Sequence, residues 1–166
     1  MPHLKLMKLL YLADRESLDA YGFPISWDRT VAMPHGPVLS QTLSILNGYL
    51  PSAPGGWDSW ISEKANHQVS LLGSCDNLQE TAFCFLTRAD RKILNEMLAR
   101  YGHMNKFQIR DFTHDHCSEW TDPSGSSFPI SYESIFMALG KTPEEIEYYL
   151  GVINDIRSVR GGSIAS

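Results

Sequence analysis

Little in this chain points to chemistry. Its 166 residues hold only three cysteines, Cys75, Cys84 and Cys117, an odd number with no CxxC pair. That excludes a disulfide framework of the secreted kind and fits a reducing compartment. No apolar run reaches membrane-spanning length, and no charged stretch precedes an apolar one at the N-terminus. A transmembrane anchor and a secretory leader are therefore not expected. Basic residues are scarce: 14 Lys and Arg stand against 19 Asp and Glu, a net charge of −5. Such a balance argues against an electrostatically driven nucleic-acid binder. No GxGxxG, GxxxxGK[ST], HExxH or GxSxG pattern occurs, so nucleotide-binding, zinc-protease and α/β-hydrolase chemistry lack support. The expected setting is the cytoplasm.

What is present is core-forming sequence. The hydrophobic fraction of 43% suits one globular domain over residues 1–160, with 161–166 as a frayed tail. Residues 3–21 read as a helix that is apolar on almost every side. Leu4, Met7, Leu10 and Leu18 share a face, and Leu6, Leu9, Tyr11, Leu12 and Ala13 fill the neighbouring positions. Lys5 and Lys8 lie on one stripe, from which they are expected to snorkel to water. Gly22 and Pro24 stop the helix.

Arg29–Met33 reads as a short strand kept out of a sheet's middle by Pro34 and Pro37. Pro37 suits the first position of a helix over Val38–Tyr49. Trp57–Ile61, Gln68–Leu72 and Thr81–Leu86 read as short antiparallel strands. Thr87 and Asp90 form a capping box for a helix carrying Ile93, Leu94, Met97, Leu98 and Tyr101. A further helix is expected over Lys106–Trp120, with Phe107, Ile109, Phe112 and Cys117 inward. Ser131–Leu139 reads as a short helix. Thr142, Pro143 and Glu145 open the last one. The expected fold class is mainly α, one domain of five to six helices with a small antiparallel β element.

The stretches KLMKLLYLADRESL (5–18) and VAMPHGPVLSQTL (31–43), with a histidine before a tryptophan in Phe107–Trp120, resemble the Panacea domain of SocA-like antitoxins. That family occurs in bacterial and phage toxin–antitoxin pairs. The resemblance implies a mostly helical, non-catalytic domain that needs no cofactor and neutralises a cognate toxin protein by direct binding. One member is implicated as an adaptor delivering its toxin to a protease, an alternative reading here. Members of the family usually carry an additional helix before the KLMKLLYLAD stretch, whereas this chain opens at Met1-Pro2-His3. Part of the first helix's apolar face is thus expected to lack cover unless a partner, or a second copy in a homodimer, supplies it.

Two other readings compete. His114 and Cys117, three apart on a helix, could share a metal ion in a metal-dependent enzyme. His114 and His116 lie roughly 200° apart and could not. No second ligand pair stands at recognisable spacing, and a buried Cys117 is the simpler account. Cys84, in an apolar run, reads as buried and inert and not as a nucleophile. Lys5, Lys8 and Arg15 would form the basic stripe of a DNA-binding autorepressor, or a solvated face. For a toxin-binding surface the candidates are Tyr11, Arg15, His35, Trp57 and Trp60, because aromatic and arginine side chains anchor interfaces.

Overall fold

A computed structural model describes residues 1–73 and 84–162, leaving aside the side chains of 160–162. The expected turn Ser74–Gln79, the tail residues 163–166 and the first half of the expected strand Thr81–Leu86 lie outside the described residues; Cys84–Leu86 form a turn and a bend instead of a strand, and Cys84 is exposed, not buried as expected. The elements are α1 (His3–Tyr21), β1 (Thr30–Met33), β2 (Gly36–Leu39), α2 (Ser40–Leu46), α3 (Trp57–Trp60), α4 (Arg88–Tyr101), α5 (Lys106–His116), β3 (Phe128–Pro129), α6 (Tyr132–Ala138) and α7 (Pro143–Gly162). The chain is mainly α with a small three-stranded antiparallel sheet.

The all-round apolar character of α1 is explained by its place. It contributes to each of the three apolar clusters found among the described residues. Leu9, Leu12 and Ala13 pack with Ile93 and Met97 of α4 and Ile109 of α5. Leu18 packs with Ala32, Ile135, Phe136, Ile146 and Ile153. Met7 packs with Val38, Leu46 and Val69. Gly22 ends α1 at φ +80°, a left-handed conformation that favours glycine, and a Cβ there would lie 2.1 Å from the Tyr149 ring. The expected uncovered face is not found: every apolar side chain from Leu4 to Ala13 is buried or half-buried. Cover comes partly from the 67–69 segment, where Val69 N–H donates to Met1 O at 2.9 Å and His3 N–H to His67 O at 3.0 Å.

The sheet has the order β2-β1-β3, so Arg29–Met33 supplies the middle strand, contrary to expectation. The pairing register explains how the prolines are tolerated. Pro34 and His35 form a two-residue turn that makes Met33 and Gly36 partners, followed by Ala32–Pro37 and Val31–Val38. Hydrogen-bonded and non-hydrogen-bonded pairs alternate in an antiparallel ladder. Ser40 N–H donates to Arg29 O at 2.8 Å, which sets the parity and puts Ala32–Pro37 at a non-hydrogen-bonded position. Pro37 therefore needs no N–H on this side, and its carbonyl faces away from β1. It is a strand residue, not the first residue of a helix, and the helix expected over Val38–Tyr49 spans only Ser40–Leu46.

Other expectations are corrected similarly. Trp57–Ile61 is a helical turn with an isolated bridge from Ile61 to Leu71, and Gln68–Leu72 makes only bridges. The helix expected over Lys106–Trp120 stops at His116. Leu98 and Phe107 are 53% and 52% exposed; the Phe107 ring is covered instead by the cations of Lys106 and Arg110 at 5.0 and 5.3 Å. The capping boxes at Thr87–Asp90 and Thr142–Glu145 are both formed.

Helix α2 has no cap on its own chain neighbour. Asp28, 6% exposed, serves from a distance. Its carboxylate accepts from Gln41 N–H at 2.9 Å, Thr42 N–H at 2.7 Å, the Thr42 hydroxyl at 2.8 Å and Arg29 N–H at 2.6 Å. Replacing Asp28→Ala leaves these donors unpaired at a helix start, so urea unfolding is expected to show a loss of about 2 kcal/mol. An unchanged midpoint would mean that the cap contributes nothing.

Candidate functional site

The β1–β2 hairpin rests on a platform built from α1, α5 and the segment after α5. Lys8 is fully buried and donates to Pro37 O at 2.8 Å. This is the carbonyl that the ladder parity turns away from β1. Lys8 does not snorkel, because its neighbours enclose it and the strand supplies an acceptor. Burial lowers its pKa to about 7. Trp120 donates from its indole N–H to Met33 O at 3.0 Å. The His114 ring stacks on Trp120 with centroids 4.1 Å apart. Gly36, at φ +92°, fits between them: a Cβ there would lie 2.8 Å from Lys8 Nζ, 2.9 Å from Thr113 Oγ1 and 3.1 Å from His114 Cδ2. Glycine is needed here for both its backbone conformation and its lack of a side chain. Pro34 and His35 are left exposed at the turn.

A second network ties α1 to the same segment. Glu119, whose side chain is fully buried, pairs with Arg15 Nε at 2.7 Å. It also accepts from the Tyr11 hydroxyl. Tyr11 is 1% exposed, and burial, helped by the Glu119 carboxylate, raises its pKa well above the ordinary value. Cys117 is 1% exposed. Burial is the first cause that pushes its thiol up to about 12, far from a thiolate nucleophile. Lys5 is likewise engaged, donating to Gly102 O at 2.6 Å. The imagined basic stripe of Lys5, Lys8 and Arg15 is thus tied into the fold residue by residue. His114 lies under the hairpin with Nε2 buried, and among the described residues no three His, Cys, Asp or Glu side chains group as metal ligands.

The structure therefore divides the five residues singled out for binding. Tyr11 is internal, a correction to its placement at a surface. Arg15 is mostly enclosed, with 19% of its side chain exposed. Trp57 is half-buried against the Met7–Val38–Leu46–Val69 cluster. His35 and Trp60 reach the surface. Trp60, 38% exposed, is held by its indole N–H donating to Gly55 O at 2.9 Å.

Around Trp60 lies a surface that sequence reasoning missed in part. Tyr49, Leu50, Leu71 and Leu72 are all exposed large apolar side chains. Leu50, Leu72, Trp57 and Ile61 line a hollow of about 830 Å³ between the end of α2 and α3. The signal was local: Tyr49-Leu50-Pro51 follows the glycine that ends α2, where no amphipathic face continues to bury them. Polar Asn47, Asp58, Glu63 and Lys64 line the hollow too; exposed apolar side chains with polar ones beside them are the arrangement that protein interfaces use.

A family model described as Antitoxin SocA-like, Panacea domain, matches residues 6–121. No curated protein and no solved structure matches the chain. The matched span holds the whole platform, from Lys8 through the hairpin to Trp120, and the Trp60 surface. β3, α6 and α7 lie beyond it.

The buried amine makes stability pH-dependent. Between pH 7 and 9 the unfolded Lys8 keeps its proton while the folded one gives it up, so the folded state binds fewer protons and gains stability as pH rises. Urea midpoints measured over that range are expected to rise more steeply for the native chain than for Lys8→Met. Parallel curves would show that the amine is solvated.

Proposed function

The chain belongs to the antitoxin SocA-like family with the Panacea domain, and on that premise we propose that it neutralises a cognate toxin protein by direct contact. It acts by binding and not by catalysis. The observation that carries the contact reading is the set of exposed apolar side chains Tyr49, Leu50, Trp60, Leu71 and Leu72, of which Leu50 and Leu72 line the hollow beside α3. Exposed apolar surface of this kind on a chain of net charge −5 suits a protein partner better than nucleic acid. His35, presented on a turn whose backbone is fixed from beneath, is a second contact. Arg15 and Trp57 act as supports that hold these surfaces in place. We place this activity in the cytoplasm; among the described residues no helix is long and apolar enough to cross a membrane.

The test is co-expression with the protein of the neighbouring reading frame. The native chain is expected to restore growth, with the toxin's level unchanged. Leu50→Asp with Trp60→Ala, both at exposed positions, is expected to reduce rescue by roughly ten-fold or more, as loss of an anchor does. A harmless neighbour, or full rescue by the double variant, would contradict the reading. A fall in toxin level dependent on a protease would replace inhibition with delivery for degradation.

A further inference from the structure

Beyond the span of the family match, α6 and α7 enclose an open groove of about 660 Å³. Ile146 with Leu150, and Glu147 with Gly151, line it from α7, each pair four residues apart on one helix face. Met137, 64% exposed, forms its wall. A methionine at such a place is an adaptable apolar contact. Gly151 sits in the interior of α7, where glycine is less favourable than alanine. Among the described residues none demands it, because a Cβ there would meet none of their atoms within 4 Å. The missing side chain deepens the groove.

The charges at the groove choose its occupant. Glu133 and Glu147 line it, both exposed and in no ion pair among the described residues. Lys141, the cation among the groove's described lining residues, is committed to Asp19 at 2.7 Å. Arg29 and Arg157 line the adjoining hollow, which shares Glu133, Leu150 and Asn154 with the groove, and neither arginine lines the groove itself. From Pro143 to Asn154 the groove follows α7 for about 16 Å, three turns of helix.

We propose that this groove binds an amphipathic α-helix of a partner protein, with an apolar stripe laid against Leu150 and Gly151 and basic side chains paired with Glu133 and Glu147. Helices are bound in grooves through anchors at such spacing. Complementary charge at the rim sets orientation and partner choice. The site is separate from the Trp60 surface, and the proposal does not rest on the antitoxin reading.

The experiment titrates the full chain, carrying ¹³C-methyl methionine, with a synthetic peptide of about 14 residues. The peptide has leucines at i, i+3, i+4 and i+7 and lysines beside them; a control carries glutamates in place of the lysines. The Met137 methyl signal, assigned through Met137→Leu, is expected to shift saturably with the lysine peptide only. Gly151→Leu, which fills the groove, and Glu133→Lys with Glu147→Lys are each expected to weaken binding by roughly ten-fold. The charge reversals lie at exposed positions, so a loss there is not a loss of fold. An unmoved Met137 signal, an equal response to the glutamate peptide, or unchanged affinity in Gly151→Leu would overturn the proposal. So would self-association of the chain through this face, seen by sedimentation and abolished by Gly151→Leu.

Discussion

The bond from the buried Lys8 amine to the Pro37 carbonyl is the constraint around which this fold is arranged. An amine cannot be taken fully from water without an acceptor. Here the acceptor is a strand carbonyl, turned toward α1 by the ladder's parity. The same parity makes a proline acceptable at that position. The closeness of Lys8, Thr113 and His114 to the turn then requires glycine at residue 36. Trp120 completes the support by donating to Met33. Three stretches far apart in sequence are thereby one structural object, and the exposed Pro34 and His35 are its presented tip.

Helix α1 makes this possible because it has no solvent side along most of its length. It joins the α4–α5 layer, the sheet with α6 and α7, and the α2–α3 region. Its polar residues are therefore internal connectors. Lys8 reaches the hairpin, Arg15 and Tyr11 reach Glu119, and the Asp14 carboxylate accepts from Ile25 and Ser26 N–H at 3.0 and 2.8 Å. Burial raises the Asp14 pKa to about 6 despite these bonds. A helix with such partners fixes the loop and hairpin that follow it.

What could be read from the sequence was local. The capping boxes at Thr87–Asp90 and Thr142–Glu145, the end of α1 at Gly22 and the buried character of residues 4–13 all follow from spacing within a few residues. What could not be read depends on partners far along the chain. Lys8 resembles any snorkelling lysine until Pro37, 29 residues on, is seen to meet it. Tyr11 resembles an exposed anchor until Glu119, 108 residues on, accepts a hydrogen bond from its hydroxyl. Pro37 resembles a helix start because the pairing parity that admits it to a strand is not local. Of the binding candidates, His35 and Trp60 stand at the surface because the hairpin turn and the short α3 place them there, whereas Tyr11 and Arg15 are on the central helix.

The central claim is that Gly36 seats the hairpin on Lys8, Thr113, His114 and Trp120. The most direct measurement is native-state hydrogen exchange on Gly36→Ala. The expected result is faster exchange at Val31, Val38 and the first turn of α2, with protection in α4 and α7 kept. Protection of the β1–β2 ladder equal to that of the native chain would contradict it.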